Sequence, residues 1–306
     1  MIQILAPLLL LVLLGLFLAR MRFLGREFMG DLNKLVFWVA LPALLFRSAA
    51  HAEQPAPGTF SLLLLLVIAS LLIAAAGWLS SRLLRLPHSS SGTFSQSAFR
   101  GNLAYIGIPV LAYLFGSGQD KRVSFATAVI AMAFLMTVYN ILAVVVLSGG
   151  VQSNKTWRAA LRSIFTNPLL LSCLAGVFLA LTQTRLPLFL DRALETLGSA
   201  SVPIALLCIG GSLAHVRLGQ RVGAIMTAAL LKTLVLPLLV YSLAPLFGVT
   251  GDELRIALVF SACPTAAASF VMVCQMNGDE SLASGSIVLS TIFSIASLPL
   301  ALFLKC

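Results

Sequence analysis

Two long apolar stretches of this chain are each broken by proline at an equivalent point. They are Gly101-Asn102-Leu103-Ala104-Tyr105-Ile106-Gly107-Ile108-Pro109 and Ser261-Ala262-Cys263-Pro264-Thr265-Ala266-Ala267-Ala268-Ser269. Proline lacks an N–H and its ring crowds the carbonyl four residues back, so a helix opens there. Lipid satisfies none of the freed groups. Such a break survives only where it is buried in protein or lines a polar cavity. Paired breaks in the two halves of a membrane chain point to the substrate site of a secondary transporter. A carrier is therefore expected.

The composition agrees. Of 306 residues 59% are hydrophobic and 10% charged, with a mean hydropathy of +1.03, whereas soluble domains carry about a quarter charged residues. The apolar segments predict ten spans: 2–19, 31–49, 59–83, 92–117, 122–148, 164–183, 196–213, 222–247, 253–276 and 280–303. At about 20 residues per crossing they use nearly the whole chain and leave no soluble domain. Ile2 to Ala19 reads as a span rather than a signal peptide, since no basic residue precedes it and Arg20, Arg22 and Arg26 follow. The five cysteines have no CxxC spacing and read as free thiols. His51, His88 and His215 fall in loops without ligand spacing. Neither a metal nor another cofactor is expected.

A net charge of +10 raises the question of nucleic acid, but the basic residues are scattered through short connections. They fit membrane orientation instead. With the N-terminus outside, the inner loops hold Arg20, Arg22, Arg26, Lys34, Arg82, Arg85, Lys155, Arg158, Arg162, Arg217 and Arg221. The outer side holds Arg47, Lys121, Arg122, Arg185, Arg192, Arg255 and Lys305. Excess cytoplasmic charge sets topology, so a multi-pass protein of the cell (inner) membrane is predicted, with both termini outside.

Val39-Ala40-Leu41-Pro42-Ala43-Leu44-Leu45 resembles Ser201-Val202-Pro203-Ile204-Ala205-Leu206-Leu207. These prolines lie 161 positions apart, and Pro109 and Pro264 lie 155 apart. Two landmarks at nearly one offset predict a five-span unit used twice, over 1–150 and 151–306. Five is odd, so the second copy enters the membrane inverted. The fold class expected is an all-α membrane protein of ten helices in two inverted repeats, with helices 4 and 9 broken.

All ten acidic residues fall in loops or at span edges, which argues against a carboxylate proton relay. Two cations do lie within spans, Arg100 and Lys232. A charge at mid-membrane costs about 2.5–3.5 kcal/mol or more and faces the bundle interior with a partner. For Arg100 two readings stand: its head reaches the interface, or it meets an anionic substrate. For Lys232 the choice is between holding carbonyls freed at a break and serving in coupling or substrate binding. Asn102 either binds substrate or ties down backbone. Gly101, Gly107, Pro109 and Pro264 read as helix-break residues. Helix N-termini at the breaks would favour a carboxylate. The candidate binding set is Asn102, Arg100, Ile108, Pro109, Pro264, Thr265 and Asn140, with Gln96, Tyr139 and Ser269 as further polar neighbours. Ser286, Ser290 and Ser294 recur every four residues and read as a packing face.

Gly101-Asn102 followed by Tyr105-Ile106-Gly107-Ile108-Pro109 resembles the fourth-span signature of the auxin efflux carrier family, which includes plant PIN carriers and bacterial malonate or malate carriers. Phe165-Thr166-Asn167-Pro168, Pro203-Ile204-Ala205-Leu206, Gly210-Gly211-Ser212-Leu213, Lys232 to Pro237, and Asp279 through Leu289-Ser290-Thr291 are similar to the same family. The short Lys155–Arg162 connection is like that of bacterial members. The resemblance implies a fold like that of NhaA and the bile-acid transporters, with a scaffold from helices 1, 2, 6 and 7. The transport part would come from helices 3–5 and 8–10, with helices 4 and 9 crossing. It implies elevator-type transport of a small organic anion such as an auxin-like acid, malonate or malate, and a homodimer through the scaffold. The direction expected is efflux, because an anion moving outward gains about 2.3 kcal/mol per 100 mV. The alternative is a sodium-coupled organic anion symporter of the bile-acid-transporter type. An enzyme is disfavoured, since the spans hold no HExxH, GxSxG or acidic pair.

Overall fold

The structure is a computed structural model that describes residues 2–51, 58–115, 119–147, 166, 168–184, 186–213 and 221–304. The Lys155–Arg162 connection, Asn167, Arg185, His215, Arg217 and Lys305 lie outside the described residues. Among those described the secondary structure is helical apart from a single bridge between two breaks. The helices are α1 (Ile2–Arg20), α2 (Arg26–Leu35), α3 (Leu41–Ala50), α4 (Thr59–Leu83), α5 (His88–Phe99), α6 (Ile108–Phe115) and α7 (Gln119–Leu147). Then come α8 (Pro168–Leu181), α9 (Leu188–Leu213), α10 (Val222–Leu230), α11 (Leu236–Leu243), α12 (Gly251–Ala262), α13 (Ala268–Gln275) and α14 (Glu280–Phe303).

Among the described residues five helical stretches are long and apolar enough to cross a membrane: Glu27–Ala50, Thr59–Leu83, Val123–Leu147, Val222–Phe247 and Glu280–Phe303. At 1.5 Å per residue, 24–26 residues reach about 36–39 Å, enough for a hydrocarbon core of about 30 Å. Helices α5 and α6, and α12 and α13, are the separated pieces of the two interrupted stretches. Side chains such as Phe17, Phe60, Phe178, Leu181 and Phe303 are more than half exposed, the outward face expected of a protein solvated by lipid.

Three π-helical turns, Val36–Ala40, Leu103–Gly107 and Leu231–Val235, have a common cause. Each ends two residues before a proline (Pro42, Pro109 and Pro237), whose ring excludes the ordinary bond to the carbonyl four residues earlier. Proline alone is not sufficient, because Pro203 and Pro299 lie inside α-helices.

The chain divides into two compact units. Unit 1 comprises Met1–Thr59, Ala104–Ala133 and Phe165–Val216. It is packed through glycines: a Cβ added at Gly15 of α1 would overlap the Leu207 carbonyl of α9, and one at Gly210 would overlap the Val12 carbonyl. Likewise Gly176 of α8 lies against Phe46 and Gly198 of α9 against Leu44, both on α3. Small residues let backbones approach where no water drives association.

Unit 2 comprises Phe60–Leu103, Phe134–Ile164 and Arg217–Cys306. Its apolar cluster joins Phe94, Ala224, Ile225, Ala228, Ala229, Leu282 and Leu289. Asp279 ties one end together. Its carboxylate accepts the Leu282 N–H at 3.0 Å as the N-cap of α14, the Ser90 hydroxyl at 2.7 Å and the Arg221 guanidinium at 3.0 Å.

Candidate functional site

Helix α5 ends at Phe99 because Arg100 turns out of helical geometry (φ −76°, ψ 97°), after its N–H has bonded the Gln96 carbonyl at 3.0 Å. Helix α12 ends at Ala262 in the same way, with Cys263 at ψ 141°. Both breaks lie in unit 2, and each satisfies the other. The Asn102 N–H donates to the Pro264 carbonyl at 2.7 Å, and the Ala266 N–H donates to the Arg100 carbonyl at 2.9 Å. Gly101 and Thr265 thereby form an isolated antiparallel bridge.

The remaining freed groups are taken up by side chains. The Thr265 hydroxyl donates to the Ser97 carbonyl at 2.8 Å, while its N–H donates to the Ser290 hydroxyl oxygen at 2.9 Å. The Ser297 hydroxyl donates to the Ala262 carbonyl at 3.2 Å, and Lys232 Nζ donates to the Ser261 carbonyl at 2.5 Å. The stem of Lys232 also explains Gly101. A Cβ there would come within 3.3 Å of Lys232 Cε and 3.2 Å of the Phe260 carbonyl oxygen.

Arg100 is held differently. Its Nη2 donates to Asn140 Oδ1 at 2.6 Å and its Nη1 points to the thioether of Met272. Arg100 and Lys232 are both buried. Among the described residues every ion pair lies elsewhere: Lys34–Asp31, Arg47–Asp191, Arg47–Glu195, His51–Asp191, Arg221–Asp279 and Arg255–Asp252. Two positive groups thus stand inside unit 2 with only neutral acceptors. One of these, a thioether, is a weak one.

The structure therefore brings Arg100, Gly101, Asn102, Asn140, Lys232, Pro264 and Thr265 into one unit. Gly107, Ile108 and Pro109 belong to unit 1, where Gly107 closes the π turn and Ile108 and Pro109 open α6. The first stretch loses helical geometry at Arg100–Asn102 rather than at Pro109, which contributes the π turn alone. Sequence reasoning missed Met272, since a methionine in an apolar helix carries no signal. It also read Ser290 only as part of a small-residue face. The one sign available was the hydroxyl row at 286, 290 and 294.

Unit 1 has a cavity of about 400 Å³, lined by Leu44, Arg47, His51, Phe125, Glu195 and Val202 among others. Its arginine is already neutralised. Arg47 donates two hydrogen bonds to Asp191, at 2.8 and 3.0 Å, and lies 3.4 Å from Glu195. That leaves no unpaired positive charge on Arg47 in this cavity.

Residues 1–302 match the family of membrane transport proteins. The chain belongs to that family. Relatives in the family cover nearly the full length on both sides. An uncharacterized transporter of Methanothermobacter thermautotrophicus is 28% identical over 95% of this chain and 94% of its own. A protein of Rhizobium meliloti named "putative malonate transporter" is 29% identical over 96% of this chain and 92% of its own. The uncharacterized transporter YfdV of Escherichia coli is 21% identical over 98% and 96%. The protein is thus a helical membrane transporter.

Proposed function

We propose that the protein carries a small organic anion across the cell membrane, binding its carboxylate at the joined breaks of unit 2. The observation that carries this reading is Arg100: a buried guanidinium whose acceptors are an amide oxygen and a thioether, with no carboxylate on it among the described residues. Guanidinium pairs best with a carboxylate, through two parallel bonds. Lys232 adds a second buried positive charge beside Gly101. The name of the Rhizobium meliloti relative points to the same substrate class, short carboxylic acids.

The wider reading is ten spans in two inverted repeats, with the bound anion carried by elevator-type movement of one part of the molecule against a fixed, dimeric scaffold. The negative interior drives an uncoupled anion outward, so efflux is the direction proposed. Uptake that requires sodium in proteoliposomes would replace this with symport.

The test is a thermal-shift screen of the purified protein against short carboxylic acids. An acid at 100 times its dissociation constant stabilises the folded state by about 2.7 kcal/mol. The wild type gains this stabilisation, Asn102→Ala retains part of it, and Arg100→Gln, which removes the charge, gains none. Equal shifts in the wild type and Arg100→Gln overturn the proposal.

A further inference from the structure

Helix α5 is polar, yet Ser90 to Phe99 are buried throughout. The hydroxyls of its buried part are all bonded. Ser90 donates to Asp279, Ser91 to the Pro87 carbonyl, Thr93 to the Ser89 carbonyl, Ser95 to the Ala74 carbonyl and Ser97 to the Thr93 carbonyl. Gln96 is the exception. It is 0% exposed, and neither its Oε1 nor its Nε2 has a partner. A buried carboxamide without partners is costly, and native structures leave few of them.

Its position gives it a use. The Arg100 N–H bonds the Gln96 carbonyl, so the two side chains leave one face of α5 a turn apart, with Cβ atoms about 5–6 Å from each other. Opposite Arg100, helix α13 presents Met272 and, three residues earlier on the same face, Ser269, whose hydroxyl is also buried without a partner. The weakest contact of the guanidinium therefore sits within a turn of an unpaired amide and within a turn of an unpaired hydroxyl. Thioether side chains are flexible and accept hydrogen bonds poorly. A carboxylate is the better acceptor for that guanidinium nitrogen than the thioether of Met272.

We infer that Gln96 is a specificity-determining residue that reads a second polar group on the transported anion. Its amide both donates and accepts, so it suits a hydroxyl, a carbonyl or a second carboxyl. The favoured substrates are short carboxylates with a second oxygen function within about 5–6 Å of the first. Met272 keeps the guanidinium's place while the site is empty. This inference rests on the anion reading above and extends it to substrate selection.

Binding of propionate, 3-hydroxypropionate and malonate to the purified full chain tests it by calorimetry. The wild type prefers the two doubly functional acids over propionate by at least about tenfold, because a site built to hydrogen-bond a group rejects the analogue that lacks it. In Gln96→Leu that ratio falls to within about twofold, while the unliganded variant melts no lower than the wild type, since it loses an unpaired amide. Gln96→Met, of similar length, serves as the second variant and gives the same result. In Arg100→Gln all three acids are lost. A ratio that survives in Gln96→Leu and Gln96→Met overturns this inference and leaves the anion reading intact. So does a lower melting temperature with the ratio retained, which marks Gln96 as a structural group held by water. Acids that bind Arg100→Gln as they bind the wild type, or that fail to bind the wild type, overturn the anion reading and this inference with it.

Discussion

Lys232 donates to the Ser261 carbonyl, which helix α12 cannot satisfy at its own end, whereas Arg100 donates to a neutral amide and a sulfur. Substituting each therefore has different consequences. Lys232→Met keeps the stem over Gly101 but leaves a buried carbonyl without its donor, at a cost of about 1–3 kcal/mol. The expected result is a lower melting temperature together with loss of carboxylate counterflow in proteoliposomes. Wild-type values of both would show that neither the break nor the transport needs the ammonium group. Arg100→Gln instead removes a charge that is costly to bury, so its loss appears in binding more than in stability. At this scale both cations stood out in the sequence because they fall within spans, whereas every carboxylate falls in a loop or at a span edge. The sequence did not separate their roles, since the distinction depends on a carbonyl 29 positions from Lys232 and a thioether 172 positions from Arg100.

Among the elements, the packing of α1 on α9 admits the least change. Gly15 and Gly210 each lie where a side chain would run into the other helix's backbone, and a rigid carbonyl cannot swing aside. Gly210→Val is expected to destabilise unit 1 by about 1–3 kcal/mol, as overpacked interiors do. Gly223→Val is the control, because a Cβ added there meets nothing within 4 Å. Melting curves of the two variants decide the point, and equal melting temperatures would contradict the packing described. The helix content and the second interruption were legible, since Pro264 does lie in an open turn. The first was displaced: Gly101 and Asn102 open the chain, while Pro109 merely loosens the turn before it. Proline removes one hydrogen bond wherever it stands. Whether the helix then bulges or parts depends on what the neighbouring elements offer the freed groups, and α12–α13 offer Pro264 and Ala266 to residues 100–102 alone.

For the molecule as a whole, the charge count predicts that Arg85 faces inward and Thr250 outward, and both are exposed. With Cys274 and Cys306 replaced by serine, a cysteine at position 250 is expected to react with a membrane-impermeant maleimide in intact cells. One at position 85 should react only after the cells are opened. The reverse pattern inverts the proposed topology. Cys173, Cys208 and Cys263 are buried and leave the assay clear of background. Of the architecture, membrane residence was readable from composition because lipid exposure demands apolar surface. The pairing of the breaks was not, because the bonds that join them run between residues some 160 positions apart. That separation matters for biogenesis. At roughly 5–20 residues per second, residues 264–266 leave the ribosome about 8–32 seconds after residues 100–102. Throughout that interval the nascent first half carries an unclosed seam, with the Asn102 amide and the Arg100 carbonyl awaiting partners not yet made. A newly inserted chain therefore needs shelter for that seam, and termination before Pro264 leaves the Asn102 amide and the Arg100 carbonyl without the partners they have in the finished fold.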